Sequence, residues 1–174
     1  MVLFPRLSNT PLEEIHTITA RVCRSTLFFT GLAAIGLALI GWFVIPLFYG
    51  LEYGASVVPL MILLPGVLAM GVYKVITRNY SSRDRQEISI LAAVSALLVN
   101  VLFNLFFIPV WGVNGAALSS TFAYTTAGGL LLVFFLRDAH LPWRDVLLPK
   151  SSELQALIAL ARNAYQAGLA KVKA

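Results

Sequence analysis

The sequence predicts an all-α, polytopic membrane protein. It has four transmembrane helices, at about 26–49, 55–77, 88–109 and 114–136, and a cytoplasmic amphipathic helix at the C-terminus. Three observations lead to that class. First, only 12% of the 174 residues are charged and 59% are hydrophobic, with a mean hydropathy of +0.82. Soluble domains carry about 25% charged residues. Second, no Asp, Glu, Lys or Arg interrupts residues 25–51, 53–73 or 88–136. A hydrocarbon core of roughly 30 Å takes about 20 helical residues to cross, so the third run is long enough for two crossings. Unbroken apolar runs also exclude a membrane β-barrel, whose strands alternate apolar and polar residues. Third, all 13 basic residues fall on one side of the four-span arrangement.

That last distribution sets the orientation. Arg6, Arg21 and Arg24 precede the first span. Lys74, Arg78, Arg83 and Arg85 lie between the second and third. Arg137, Arg144, Lys150, Arg162, Lys171 and Lys173 follow the fourth. The two opposite loops carry a single charge, Glu52. By the positive-inside rule both termini and the loop "RNYSSRDRQE" face the cytoplasm of a cytoplasmic (inner) membrane. An odd number of spans would put basic clusters on both sides. The net charge of +5 is therefore a topological signal rather than a nucleic-acid footprint, and no nucleic-acid partner is expected.

The elements follow in order. Thr10, Pro11 and Glu13 form a capping box with proline at the first helical position. The helix they start continues into the first span, and Trp42, Phe48 and Tyr49 mark its outer interface. No cleavable signal precedes it, so this span serves as the insertion signal. The second span contains Pro59 and Pro65, each of which removes a backbone donor. Pro59 reads as a first-turn proline. Pro65 with Gly66 lies deeper, and two roles stay open: a kink shaping a moving or cavity-lining helix, or packing alone.

The third span places Asn100 above Asn104, four residues apart on one face. An amide in hydrocarbon must find a partner, either on another helix or along a polar substrate path. The segment "IPVWGVNGA" is then a tight outer hairpin, in which Pro109 stops the third span and Trp111 lies at the interface. The fourth span is rich in Ser, Thr and Gly, which suits close helix packing, and Tyr124 is a further candidate for a cavity wall. Beyond it comes a proline-bounded linker. Ser152 and Gln155 form a second capping box, and Leu154, Leu157, Ile158, Ala161, Tyr165, Leu169 and Val172 share one helix face. This tail reads as a helix lying on the inner leaflet, with a frayed tail as the alternative.

Chemistry is sparse. The sequence has no nucleophile–base pair, metal-ligand spacing or phosphate loop, so no enzyme activity, cofactor or metal is expected. His16 and His140 read as solvated surface residues. Cys23 is the single cysteine, which rules out an internal disulfide, and reads as an apolar filler. Lys74 and Arg78, one turn apart at the inner end of the second span, have two readings. They are snorkelling anchors, or they hold a phosphate headgroup at the cytoplasmic mouth of a cavity.

Three stretches, "VLFPRLS", "PLFYGLEYGASVVPLMILLPG" and "NVLFNLFFIPVWGVNGAALSSTFAY", resemble the C-terminal part of Wzx-like oligosaccharide flippases of the MOP exporter superfamily. The most specific element is the pattern Asn100, Asn104, Pro109, Trp111, Gly112, Gly115, Ala116, Ala117. The resemblance covers residues 1–138 as a membrane domain, leaving 139–174 as linker and tail. It implies a partial MOP-type lobe that takes part in flipping polyprenyl-diphosphate-linked oligosaccharide for surface polysaccharide synthesis. Its partners would be the bilayer, the lipid-linked glycan, and missing N-terminal helices or a chain that supplies them. The chain is accordingly expected to be a fragment of a larger transporter. Two alternatives stand beside it: part of a MATE-like small-molecule exporter, or a non-transporting subunit of a polysaccharide assembly complex.

Overall fold

The computed structural model describes residues 12–148, and every long element in that range is helical. Helix α1 spans Leu12–Tyr49, a 3-10 turn covers Leu51–Ser56, and α2 spans Val57–Ser82. Element α3, Gln86–Ala139, is followed by the short α4, Trp143–Leu147. The first capping box, at Thr10 and Pro11, and the amphipathic tail from Ser152 lie outside the described residues. Three of the described helices are long and apolar enough to cross a membrane: Leu12–Tyr49, Leu51–Ser82 and Gln86–Ala139.

Their apolar faces point outward. Leu39, Phe43 and Leu47 of α1 are 70%, 76% and 78% exposed. In water that surface would be prohibitive; in lipid it faces the solvent it matches, while the helix satisfies its own backbone groups. Hydroxyls are quieted the same way. Ser95, Ser119, Thr125 and Thr126 each donate to the carbonyl four residues earlier in their own helix.

Helices α1 and α2 run antiparallel. Gly41 meets the side chains of Leu60 and Met61 near one end, Gly71 meets Thr26 midway, and Asn79 bonds Thr19 near the other. Element α3 is not one rod. As a straight helix its 54 residues would extend about 80 Å. Instead Arg85, just before it, donates to Asp138 near its end at 2.8 Å, and the Phe103 and Phe122 rings meet edge to face at 5.0 Å. The element is a helical hairpin with two antiparallel limbs.

The reversal falls at Gly112, with φ 54° and ψ −126°. Only glycine occupies that region without strain. Here the structure corrects the sequence reading: Pro109 does not stop the helix, which runs on past it. A proline disturbs the turn before it, through its missing N–H and its ring, and leaves the chain ahead free to continue. Trp111 stacks on Phe107 at 5.2 Å just before the break, and Gly115 lies just after it, buried against the Phe107 backbone.

The second limb of α3 runs parallel to α2 in close contact. A Cβ on Gly66 would stand 2.9 Å from the Thr121 Cα, and one on Gly128 would meet the carbonyl oxygen of Ala69. Small residues bring the two backbones together, and Thr121 Oγ1 then donates to the Ile62 carbonyl at 2.6 Å. That carbonyl lies one residue beyond the acceptor left without its helical donor by Pro65. Pro65 itself is exposed, while Pro59 is buried in the first turn of α2.

The tightest packing lies at the end of the bundle where the basic residues gather. Cys23, Ile76, Tyr80, Ala92, Leu131, Phe135 and Val146 are buried there. Cys23 acts as the apolar filler its solitude implied. Helix α4 folds back onto this core through Val146, and the Arg24 guanidinium donates to the Asp145 carbonyl. His16 departs from expectation. It is not a solvated surface residue but 5% exposed, with its ring edge-on to Phe135 at 5.6 Å. The antiparallel limb of α3 covers a position that sequence alone shows only as a polar residue outside the apolar run.

Candidate functional site

A cavity of about 830 Å³ lies between α1 and α2 toward the basic end. That volume is within the range of small-molecule sites. Helix α1 lines it with Ile15, Ile18, Thr19, Val22, Thr26 and Thr30; α2 with Val67, Met70, Gly71, Lys74, Val75, Arg78, Asn79 and Ser82. Tyr124, from the second limb of α3, completes the lining. The α2 residues recur at intervals of three and four, so one face of a single helix presents them all. Gly71 keeps the two helices close, because any side chain there would press on Thr26.

Along α2 the lining changes character. Val67 and Met70 are apolar, and Thr26 and Thr30 of α1 and Tyr124 bring polar groups to the same end of the cavity. Lys74 and Arg78 follow, both exposed and neither in an ion pair among the described residues. Thr19, Asn79 and Ser82 lie beyond them as neutral polar groups, beside Ile15 and Ile18 of α1. Asn79 is 4% exposed; its Nδ2 donates to Thr19 Oγ1 at 2.8 Å, and its Oδ1 has no hydrogen-bond partner. Such a site can hold an amphiphile, since it brings an apolar wall, two cations and neutral polar groups into one cavity. It offers no acid–base pair for covalent chemistry. Among the described residues no group of His, Cys, Asp or Glu could hold a metal ion.

Three of the residues singled out from the sequence, Lys74, Arg78 and Tyr124, thus meet in one cavity. Asn100 and Asn104 do not join them. Asn104 Nδ2 donates to Asn100 Oδ1 at 3.0 Å within one limb of α3, apart from the cavity lining. Pro59, Pro65 and Gly66 lie on α2 outside the lining, and Pro109, Trp111, Gly112 and Gly115 cluster at the far hairpin. Sequence reasoning missed Thr19 and Asn79. Lys74 and Arg78, one turn apart, pointed to the α2 face, but nothing in the sequence said that Thr19 stood opposite it.

A family model described as lipid II flippase MurJ matches residues 1–170. The chain belongs to the MurJ lipid II flippase family. Comparisons with curated proteins and with solved structures return no match. The MurJ family is a family of multi-pass membrane transporters, not of enzymes, and moves a lipid-linked glycan across the membrane. The match narrows the sequence reading. The MOP superfamily holds, but MurJ rather than the Wzx-like group is the branch that is matched. Helix breaks and small-residue packing marks are properties of the scaffold, and they do not encode which glycan is carried.

Proposed function

We propose that this chain carries part of the path by which a polyprenyl-diphosphate-linked glycan crosses the cytoplasmic membrane, and that the α1–α2 cavity holds the diphosphate end of that lipid. The observation carrying this reading is the meeting of Lys74, Arg78 and Tyr124 in one largely apolar cavity, at the end of the bundle where the basic residues gather. Two cations at the hydrocarbon edge neutralise a diphosphate, and the apolar wall beside them accepts the start of the isoprenoid chain. Lipid II is the substrate named by the family; a polysaccharide repeat unit shares the same diphosphate chemistry.

In this reading the basic end is cytoplasmic, by the positive-inside rule. The two limbs of α3, each roughly 39 Å long at helical rise, cross separately and bring the number of spans to four.

The test is replacement of both cations, Lys74→Gln with Arg78→Gln. Translocation of fluorescent lipid II into proteoliposomes is measured beside the amount of protein inserted. Translocation is expected to fall at least about tenfold at unchanged insertion, as loss of two charge-assisted contacts implies. Parallel loss of insertion and transport would identify the pair as anchors only.

A further inference from the structure

The cavity has a direction, and from it we infer that Asn79 is a specificity-determining residue that reads the first sugar of the bound lipid. This inference rests on the proposed diphosphate site. Along α2 the lining passes from Val67 and Met70, through Lys74 and Arg78, to Asn79 and Ser82. A polyprenyl-diphosphate glycan has the same three parts in the same order: hydrocarbon, phosphates, sugar. With the phosphates at Lys74 and Arg78, the first sugar falls about one helical turn, roughly 5 Å, further toward the basic end. Asn79, with Thr19 opposite it, begins that level directly beyond Arg78, and Ser82 lies one turn on.

With the basic end cytoplasmic, a lipid in the inner leaflet keeps its isoprenoid toward the membrane centre and its sugar toward the basic end, which sets this direction.

Asn79 adds an independent observation. Its amide is nine-tenths buried and half satisfied, since Nδ2 is used by Thr19 while Oδ1 has no donor. A buried amide oxygen left unpaired is costly, and native structures seldom retain one without a purpose. Asn79 lines the cavity, and the terminal torsion of Asn is broad, so a bound sugar can recruit the oxygen by rotating the amide. A hydroxyl or acetamido N–H of the sugar is a donor of the right kind. A lipid diphosphate without sugar cannot supply it, so the amide discriminates between loaded and unloaded carrier.

The test uses the full chain in detergent and two probes: farnesyl diphosphate, and farnesyl diphosphate bearing one N-acetylhexosamine. The wild-type protein is expected to bind the sugar-bearing probe about fivefold more tightly, the worth of one hydrogen bond to a buried acceptor. Asn79→Leu is expected to remove that preference while the sugar-free probe binds within about twofold of wild type. Equal wild-type affinity for the two probes overturns the inference and needs no variant to fold. Equal weakening of both probes by Asn79→Leu also overturns it, since the residue would then be structural. Failure of the wild-type protein to bind either probe sinks the diphosphate site, and this inference with it. Loss of both probes in the Lys74→Gln, Arg78→Gln protein alone supports the site independently of Asn79.

Discussion

The guanidinium of Arg85 donates to Oδ2 of Asp138 at 2.8 Å, and Arg83 approaches the same carboxylate at 3.7 Å. Fifty-three residues separate Arg85 from Asp138, and nearly all of them belong to the α3 hairpin. This ion pair therefore clasps the open end of the hairpin, while Gly112 turns the closed one. The clasp is half exposed, so its contribution is modest, and Arg85 also lies over the Tyr80 ring at 5.7 Å.

Replacing Asp138 by Asn is expected to destabilise the protein by about 0.5–1 kcal/mol. The deficit should shrink as salt is raised, because the exposed part of the interaction is screened. Unfolding in detergent at two ionic strengths checks both. A loss several times larger and insensitive to salt would mean the carboxylate is a buried hydrogen-bond acceptor rather than a surface clasp.

The closed end makes a backbone prediction. An added Cβ on Gly112 would meet nothing within 4 Å, yet its φ of 54° and ψ of −126° are hostile to any L side chain. Gly112→Ala should cost about 1–3 kcal/mol from backbone strain alone. Thermal unfolding of the inserted protein reads it. A neutral result would place the reversal at a residue other than Gly112.

Gly128 and Gly129 provide a matched pair. A side chain on Gly128 collides with the Ala69 carbonyl, whereas one on Gly129 meets open space. Gly128→Ala should therefore destabilise by about 1–3 kcal/mol through overpacking. Gly129→Ala should be neutral or slightly stabilising, by up to about 1 kcal/mol, because helix-interior glycine is itself unfavourable. The difference between the two variants under the same unfolding conditions measures how tightly α2 and the second limb of α3 are held.

Much of the architecture is legible in the sequence. The apolar runs at 25–51 and 53–73 correspond to the apolar parts of α1 and α2, and the run at 88–136 is divided within the "PVWGVNG" segment. The residue at which it divides was misread. Proline is the stronger signal of a helix end, but the reversal required a positive φ, which Pro109 cannot adopt and Gly112 can. His16 was misread for a different reason. It stands in a mixed stretch outside the apolar run, but its neighbour in space is Phe135, more than a hundred residues away in the chain.

The sequence by itself determined the class of protein, the lengths of its helices and the asymmetry of its charges. These follow from local transfer energies that add residue by residue, whatever the helices pack against. Only the tertiary structure decided which polar groups meet. It joined Lys74 and Arg78 to Tyr124, set Asn79 against Thr19, and left Asn100 and Asn104 bonded to each other elsewhere. The reason is geometric. Sequence spacing states which residues share a face of one helix, but the rotation of that face toward a neighbour is set by where small residues such as Gly66, Gly71 and Gly128 let backbones come together.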